Sequence, residues 1–266
     1  MPLDIETAPM EAFIWDKKTE YVGHEMVEQH TTILCASYRD PADSVIKTVS
    51  VSPATAKTVR NDRPVCKHVH GLLTHCGEEN VIVLAQNGDR FDLPKLKARF
   101  IYYGFRPLPP IKSIDTLKLL KQFRFDYNRL DFIDKHLNGI GKVPTRGFPM
   151  WRDIIAIRST PEKRKAAMAE MLSYCKGDIL ALERVYKSIE PYVTLPHNVN
   201  LWQRTYDKCP NCGKDGLIYR EKPHFTKTRA YRRMSCKYCH KWCRETMSMK
   251  DWTAQPTGDR KGKFVC

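Results

Sequence analysis

Leu3-Asp4-Ile5-Glu6-Thr7 is the stretch on which the reading of this chain turns: an Asp-x-Glu pair set inside an apolar run. If the run is a strand, alternation places both carboxylates on one face and Ile5 on the other. Two carboxylates that close repel unless a cation sits between them. Hard oxygen ligands of this kind suit Mg²⁺ or Mn²⁺. A lone pair of this sort is better explained by a solvent-facing strand, so its meaning depends on the rest of the chain.

Two further stretches supply that context. An apolar strand candidate, Val81 to Ala85, breaks into Gln86-Asn87-Gly88-Asp89-Arg90-Phe91-Asp92. Asn-Gly marks a turn, in which Asn87 is a candidate nucleic-acid contact. Asp92 then opens a helical stretch, Leu93 to Tyr103, where Pro94 is tolerated in the first turn. An ordinary helix cap is the plain alternative for Asp92. The clearest helix runs from about Pro161 to Ile189, entered through Ser159-Thr160-Pro161-Glu162 with capping-box spacing. On it Tyr174 and Asp178 are four residues apart and share a face. Asp178 can there hold a metal while the Tyr174 hydroxyl reaches water beside it, although an amphipathic core position is the default for a lone tyrosine.

In this order the pieces resemble the DEDD (DnaQ-like) superfamily of 3′-to-5′ exonucleases, in its tyrosine branch. The histidine branch needs His five residues before Asp178, and that position is Ser173. The resemblance extends to Ile114-Asp115-Thr116-Leu117 and to Arg184-Val185-Tyr186 through Pro191. It is nearest to phage and bacterial RNase H-like exonucleases with a C-terminal zinc ribbon. It implies an α/β, RNase H-like mixed sheet with flanking helices. It also implies that Asp4, Glu6, Asp92 and Asp178 hold two Mg²⁺ (or Mn²⁺) ions roughly 3.5 to 4 Å apart, and that Tyr174 orients the attacking water. The activity implied is release of nucleoside 5′-monophosphates from single-stranded DNA 3′ ends. Asp115, placed before Thr116-Leu117, reads as a helix cap rather than a metal ligand. One departure from the family is the short lead, Met1-Pro2-Leu3, whose fraying could loosen Asp4.

The 266 residues are long enough for one substantial core and a small appendage. No apolar run approaches the roughly 18 residues that span a membrane. No secretory signal or prenylation box is legible, and the expectation is a soluble protein of a bacterial or phage-infected cytoplasm. A net charge of +15 fits a polyanion binder better than an enzyme of small metabolites. From Leu201 to Cys266 there are 16 Lys and Arg against 6 Asp and Glu, so most of the excess lies in the tail.

Five of the ten cysteines cluster between 209 and 243. Cys209-Pro-Asn-Cys212 and Cys236-Lys-Tyr-Cys239 form two C-x-x-C knuckles, the pattern of one structural Zn²⁺ in a ribbon. A redox role is disfavoured by the doubling, and Cys243 and His240 are weaker candidates as replacements. Cys66, His68, His70, His75 and Cys76 look metal-like in composition, but their spacing on a helix from Asp62 to Glu78 fits core and surface positions better. Between the knuckles, Arg220, Lys227, Arg229, Arg232 and Arg233 alternate with aromatics, a combination suited to gripping phosphates and stacking on unpaired bases.

The expected organisation is a nuclease domain over 1–203, the ribbon over 204–250 and a basic tail over 251–266. Strands are expected over Thr32 to Arg39 and Ser44 to Val51, and a long irregular stretch over 138–150, where Lys142 and Arg146 could touch DNA. RNA and branched or junction substrates remain open alternatives, because nothing reads a 2′ hydroxyl. So does a non-catalytic zinc-ribbon nucleic-acid binder, although a dead site has no reason to keep mutually repelling carboxylates. A DNA polymerase or another replication, repair or recombination protein fits as partner.

Overall fold

A computed structural model describes residues 1–193, 195, 198–200, 207–246 and 264–265. The chain forms two compact units, Met1–Tyr186 and Lys187–Cys266. No helix among the described residues is long and apolar enough to cross a membrane. The expected tail, 251–266, lies outside the described residues except at 264–265.

In the first unit, strand β1 (Leu3–Thr7) pairs antiparallel with β4 (Ile33–Arg39), and β4 with β5 (Ile46–Ser50). A short hairpin, β2 (Glu11–Ala12) with β3 (Val27–Gln29), follows the first strand and is not legible in the sequence. On the other side of β1, a parallel bridge between Pro2 and Leu84 adds β6 (Val83–Ala85). Parallel to β6 lies β7 (Ser113–Asp115). The mixed sheet therefore runs β5-β4-β1-β6-β7, with the Asp-x-Glu strand at its centre. The short lead does not hang free: the Met1 amino group donates to the Ile82 carbonyl, and Leu84 and Arg39 donate to the Met1 and Pro2 carbonyls.

Helices α1 (Ala56–Val59), α2 (Arg63–Glu78), α3 (Asp92–Tyr102), α4 (Thr116–Leu120), α5 (Leu130–Asn138), α6 (Phe148–Ile155) and α7 (Pro161–Ile189) complete the unit. Apolar residues of α2, α3, α6 and α7 share one core with Leu3, Ile5 and the wholly buried run Ile33 to Ala36. Cys66 and Cys76 of α2 belong to that core, while His68 bonds the Tyr38 hydroxyl and His70 the Arg106 carbonyl. These are the packing roles their spacing suggests. One buried polar centre ties the sheet to the helices. Asp62 accepts from the Ile33 amide, from the Arg99 guanidinium and from the Tyr103 hydroxyl. The stretch expected to be irregular through residue 150 is in fact interrupted by α6, whose Pro149 sits in the first turn where no amide partner is lost.

The second unit contains a sheet in the order β11-β10-β9-β8, formed by Leu217–Phe225 (β8), Ala230–Cys236 (β9), Trp242–Thr246 (β10) and Phe264–Val265 (β11). Cys209, Cys236 and Cys239 are buried together, with Cys212 and Leu217 packed against them.

Candidate active site and metal ligands

Along β1 the expected alternation is present: Leu3 and Ile5 are buried in the core, and Asp4 and Glu6 occupy the opposite face with part of their surface open. Across the sheet they face Ser37 and Cys35 of β4. Helix α7 crosses here and contributes Asp178, which is 4% exposed. Carboxylate oxygens of Asp4, Glu6 and Asp178 all lie within 4.8 Å of one another. The neighbouring Cys175 thiol, also from α7, donates to Asp4 Oδ2 at 3.3 Å.

Asp92 reaches the cluster by a different route. It is the first residue of α3, one place past the capping position, which Phe91 holds. Its Oδ1 accepts the Ile5 amide at 3.1 Å, across 87 residues of sequence. A carboxylate buried to 3% exposure is thereby fixed beside the peptide that joins Asp4 to Glu6. It does not belong to the three-oxygen group itself.

The turn before Asp92 is held by Asp115. Its Oδ1 accepts from the Asn87 and Leu117 amides and its Oδ2 from the Asp89 amide. It caps α4, as its sequence context suggests, and also braces the turn. Asn87 adopts a left-handed backbone there, φ +61°, which Asn tolerates better than most residues.

Electrostatics mark the cluster as short of positive charge. Enclosure by protein, and then Glu6, Asp92 and Asp178, hold Asp4 well above the usual carboxylate range. Enclosure and then Asp178 push Glu6 up to about 8. Burial raises Asp92 to about 7 and also raises Asp178. Among the described residues, the one basic side chain in contact is Lys142, whose Nζ lies 2.5 Å from Asp178 Oδ2 and donates to the Tyr174 hydroxyl at 2.8 Å. Burial opposes its charge, but Asp178 and Tyr174 outweigh that and raise its pKa. The Tyr174 phenol is pushed up to about 12 by burial and then by Asp178. From sequence Lys142 belongs to a loop that could touch nucleic acid; its insertion among the carboxylates depends on how that loop packs.

Asp178 Oδ1 is buried and has no hydrogen-bond partner among the described residues. An orphaned buried carboxylate oxygen is costly, and here it adjoins two further carboxylates with raised pKa values. The donor set is all oxygen, so the residues fit a hard divalent cation.

A family model described as RNase_H superfamily matches residues 29–190, more than half the chain. The chain belongs to the RNase H superfamily. Members of the superfamily are generally nucleases that use divalent metals, which agrees with the oxygen donor set. The matched segment begins after β1, the strand that carries Asp4 and Glu6. No curated protein matches the chain.

The second unit of this RNase H superfamily member carries its own candidate metal site. Sulfurs of Cys209, Cys212, Cys236 and Cys239 lie within 4.8 Å of one another. The Cys209–Cys239 and Cys212–Cys236 separations are each 3.7 Å. A tetrahedron with metal–sulfur bonds of about 2.3 Å has edges of about 3.8 Å. The four thiols therefore fit a zinc ion, and Cys243, although buried nearby, is outside the group.

The basic residues between the knuckles divide by face. Lys227 and Arg229 are exposed at the β8–β9 turn, which Thr226 closes by bonding to Arg229. Arg232 lies over the Tyr219 ring and is 3.7 Å from Glu245, so it is already engaged. Arg220 stands directly opposite Arg233, and Arg233 opposite Arg244, which makes one row of three arginines across adjacent strands. Arg220 and Arg233 flank the half-exposed Trp242 ring at 5.4 and 4.5 Å, and Arg244 lies 4.6 Å from the Tyr231 ring. Sequence reasoning misses Arg244 and Trp242, because the register that aligns them with Arg233 is not visible in composition.

Proposed function

We propose that the protein is a metal-dependent 3′-to-5′ exonuclease acting on single-stranded DNA ends. The observation that carries this reading is the convergence of Asp4, Glu6 and the orphaned oxygen of Asp178, with Asp92 fixed beside them through Ile5. Two Mg²⁺ or Mn²⁺ ions bound by these four carboxylates would supply a nucleophile from water at neutral pH and offset charge on the leaving 3′ oxygen. The protein's own task is to hold the carboxylates rigid while they are unshielded. It does so with the β1–β4 ladder, the Ile5 amide and the Cys175 thiol. With its phenol pushed up to about 12, Tyr174 stays protonated at neutral pH. It acts as a hydrogen-bonding group that orients water, not as a base.

In this reading nuclease chemistry resides in residues before about 203. The ribbon over 204–250, built on one Zn²⁺ held by Cys209, Cys212, Cys236 and Cys239, supplies affinity for the strand. Its arginine row favours that role, since like charges set directly opposite one another across strands are unfavourable without an anion between them. Trp242 supplies a face for stacking on an unpaired base.

The test is an end-labelled oligonucleotide assay with DNA and RNA, single-stranded and duplex, in Mg²⁺, Mn²⁺ or without added divalent ion. Expected is stepwise release of 5′-mononucleotides from the labelled DNA 3′ end, abolished in Asp178→Asn. Wild-type rates in that variant would remove the assignment, and a preference for RNA or for internal cleavage would redirect it.

A further inference from the structure

Lys142 lies in the connection from α5 to α6, and that connection is riveted to α7. The Lys142 and Gly141 amides donate to Asp131 and Asp134. Asp134, fully buried, is gripped in turn by Arg184 of α7 through both of its oxygens. Gly141 has φ +82°, which lets the chain turn toward the helix. Val143 lies so close to Gly177 that a Cβ there would sit 2.5 Å from its methyl group. Arg146 closes the far end with ion pairs to Glu170 and Asp153. The Lys142 ammonium is thus delivered to Asp178 and Tyr174 by a built scaffold, not by a wandering surface side chain.

The charge of the site says what that ammonium is for, granted the metal site proposed above. Four carboxylates are balanced by two divalent cations, so with the ions bound the positive charge of Lys142 is left over. The group that enters with a single negative charge is the phosphodiester. Without ions, the ammonium holds Asp178 by the oxygen next to the orphaned one. A cation that engages both oxygens of Asp178 competes with it directly. We propose that Lys142 is a resident cation with two stations: it holds Asp178 while the metal site is empty, and moves to a non-bridging oxygen of the scissile phosphodiester when it is filled.

Two measurements on the full chain read the two stations separately. Mn²⁺ binding, followed by electron paramagnetic resonance in the absence of nucleic acid, is compared between wild type, Lys142→Met and Lys142→Arg, with thermal melting to establish folding. Loss of the competing charge should tighten Mn²⁺ binding in Lys142→Met by roughly tenfold or more, while Lys142→Arg stays near wild type. At saturating Mn²⁺, kcat of Lys142→Met on an oligonucleotide that wild type cleaves should fall by about a hundredfold. Should Lys142→Met not fold, Lys142→Gln carries the same two expectations. Unchanged or weaker Mn²⁺ affinity in a folded, uncharged variant overturns the first station, and tighter binding with undiminished kcat overturns the second. If wild type itself binds no Mn²⁺, the proposed metal site fails and this inference falls with it.

Discussion

Replacing Glu6 by Gln should stabilise the protein when it carries no divalent ion, an unusual outcome for a residue at the centre of a candidate active site. Glu6 is enclosed by protein and faces Asp178, which pushes its pKa from 4.5 up to about 8. Below pH 4.5 the carboxyl is protonated in both folded and unfolded chains and contributes no penalty. As pH rises from 4.5 to 8 the unfolded chain gives up this proton while the folded protein retains it. Stability therefore falls across that window and levels off above it. A tenfold change in a group's acidity between the folded and unfolded chains corresponds to about 1.4 kcal/mol. The protons of this cluster are shared with Asp4 and Asp178, so about half of the whole effect, roughly 2 kcal/mol at pH 8, is a fair magnitude for one residue. Gln is nearly isosteric and never ionises. Urea denaturation in magnesium-free buffer at pH 5 and pH 8 should show Glu6→Gln close to wild type at the lower pH and more stable by about 2 kcal/mol at the higher. Added Mg²⁺ should then reverse the order at pH 8, because only the intact cluster gains binding energy from it. A variant less stable than wild type at pH 8 without metal, or a difference that does not change between the two pH values, would refute the reasoning.

Three further outcomes are expected. Elemental analysis should find about one zinc per chain, and changing Cys209 and Cys236 together to Ser should remove it; full zinc content in that double variant rejects the four-thiol site. Changing Arg220, Arg233 and Arg244 together to Ala should flatten the dependence of log K on log salt for a single-stranded oligonucleotide by about 2, since each phosphate contact contributes roughly 0.7. An unchanged slope would move the binding face elsewhere. Asp62→Ala should cost about 3–5 kcal/mol in urea denaturation, because it strands the Arg99 charge and leaves the Ile33 amide and Tyr103 hydroxyl without their partner; a cost below about 1 kcal/mol counts against that polar centre as a structural tie.

What this chain's sequence determined by itself is whatever local periodicity and short spacing encode. The alternation in Leu3 to Thr7, the helix from Pro161 to Ile189 with Tyr174 and Asp178 on one face, and the two C-x-x-C knuckles each depend on neighbours a few residues apart. Their order along the chain was enough to point to the RNase H superfamily before any contact was known. Tertiary structure decided the long-range closures. That Asp92 accepts the Ile5 amide from across the molecule, that Lys142 is inserted against Asp178, that three arginines align across β8, β9 and β10, and that Asp62 ties a strand to two helices are facts of packing and register. A capping position, a basic loop or an alternating strand looks the same in sequence whether its side chain faces water or another part of the molecule. Only the partner brought there by folding fixes the charge balance, and at this site the charge balance is the chemistry.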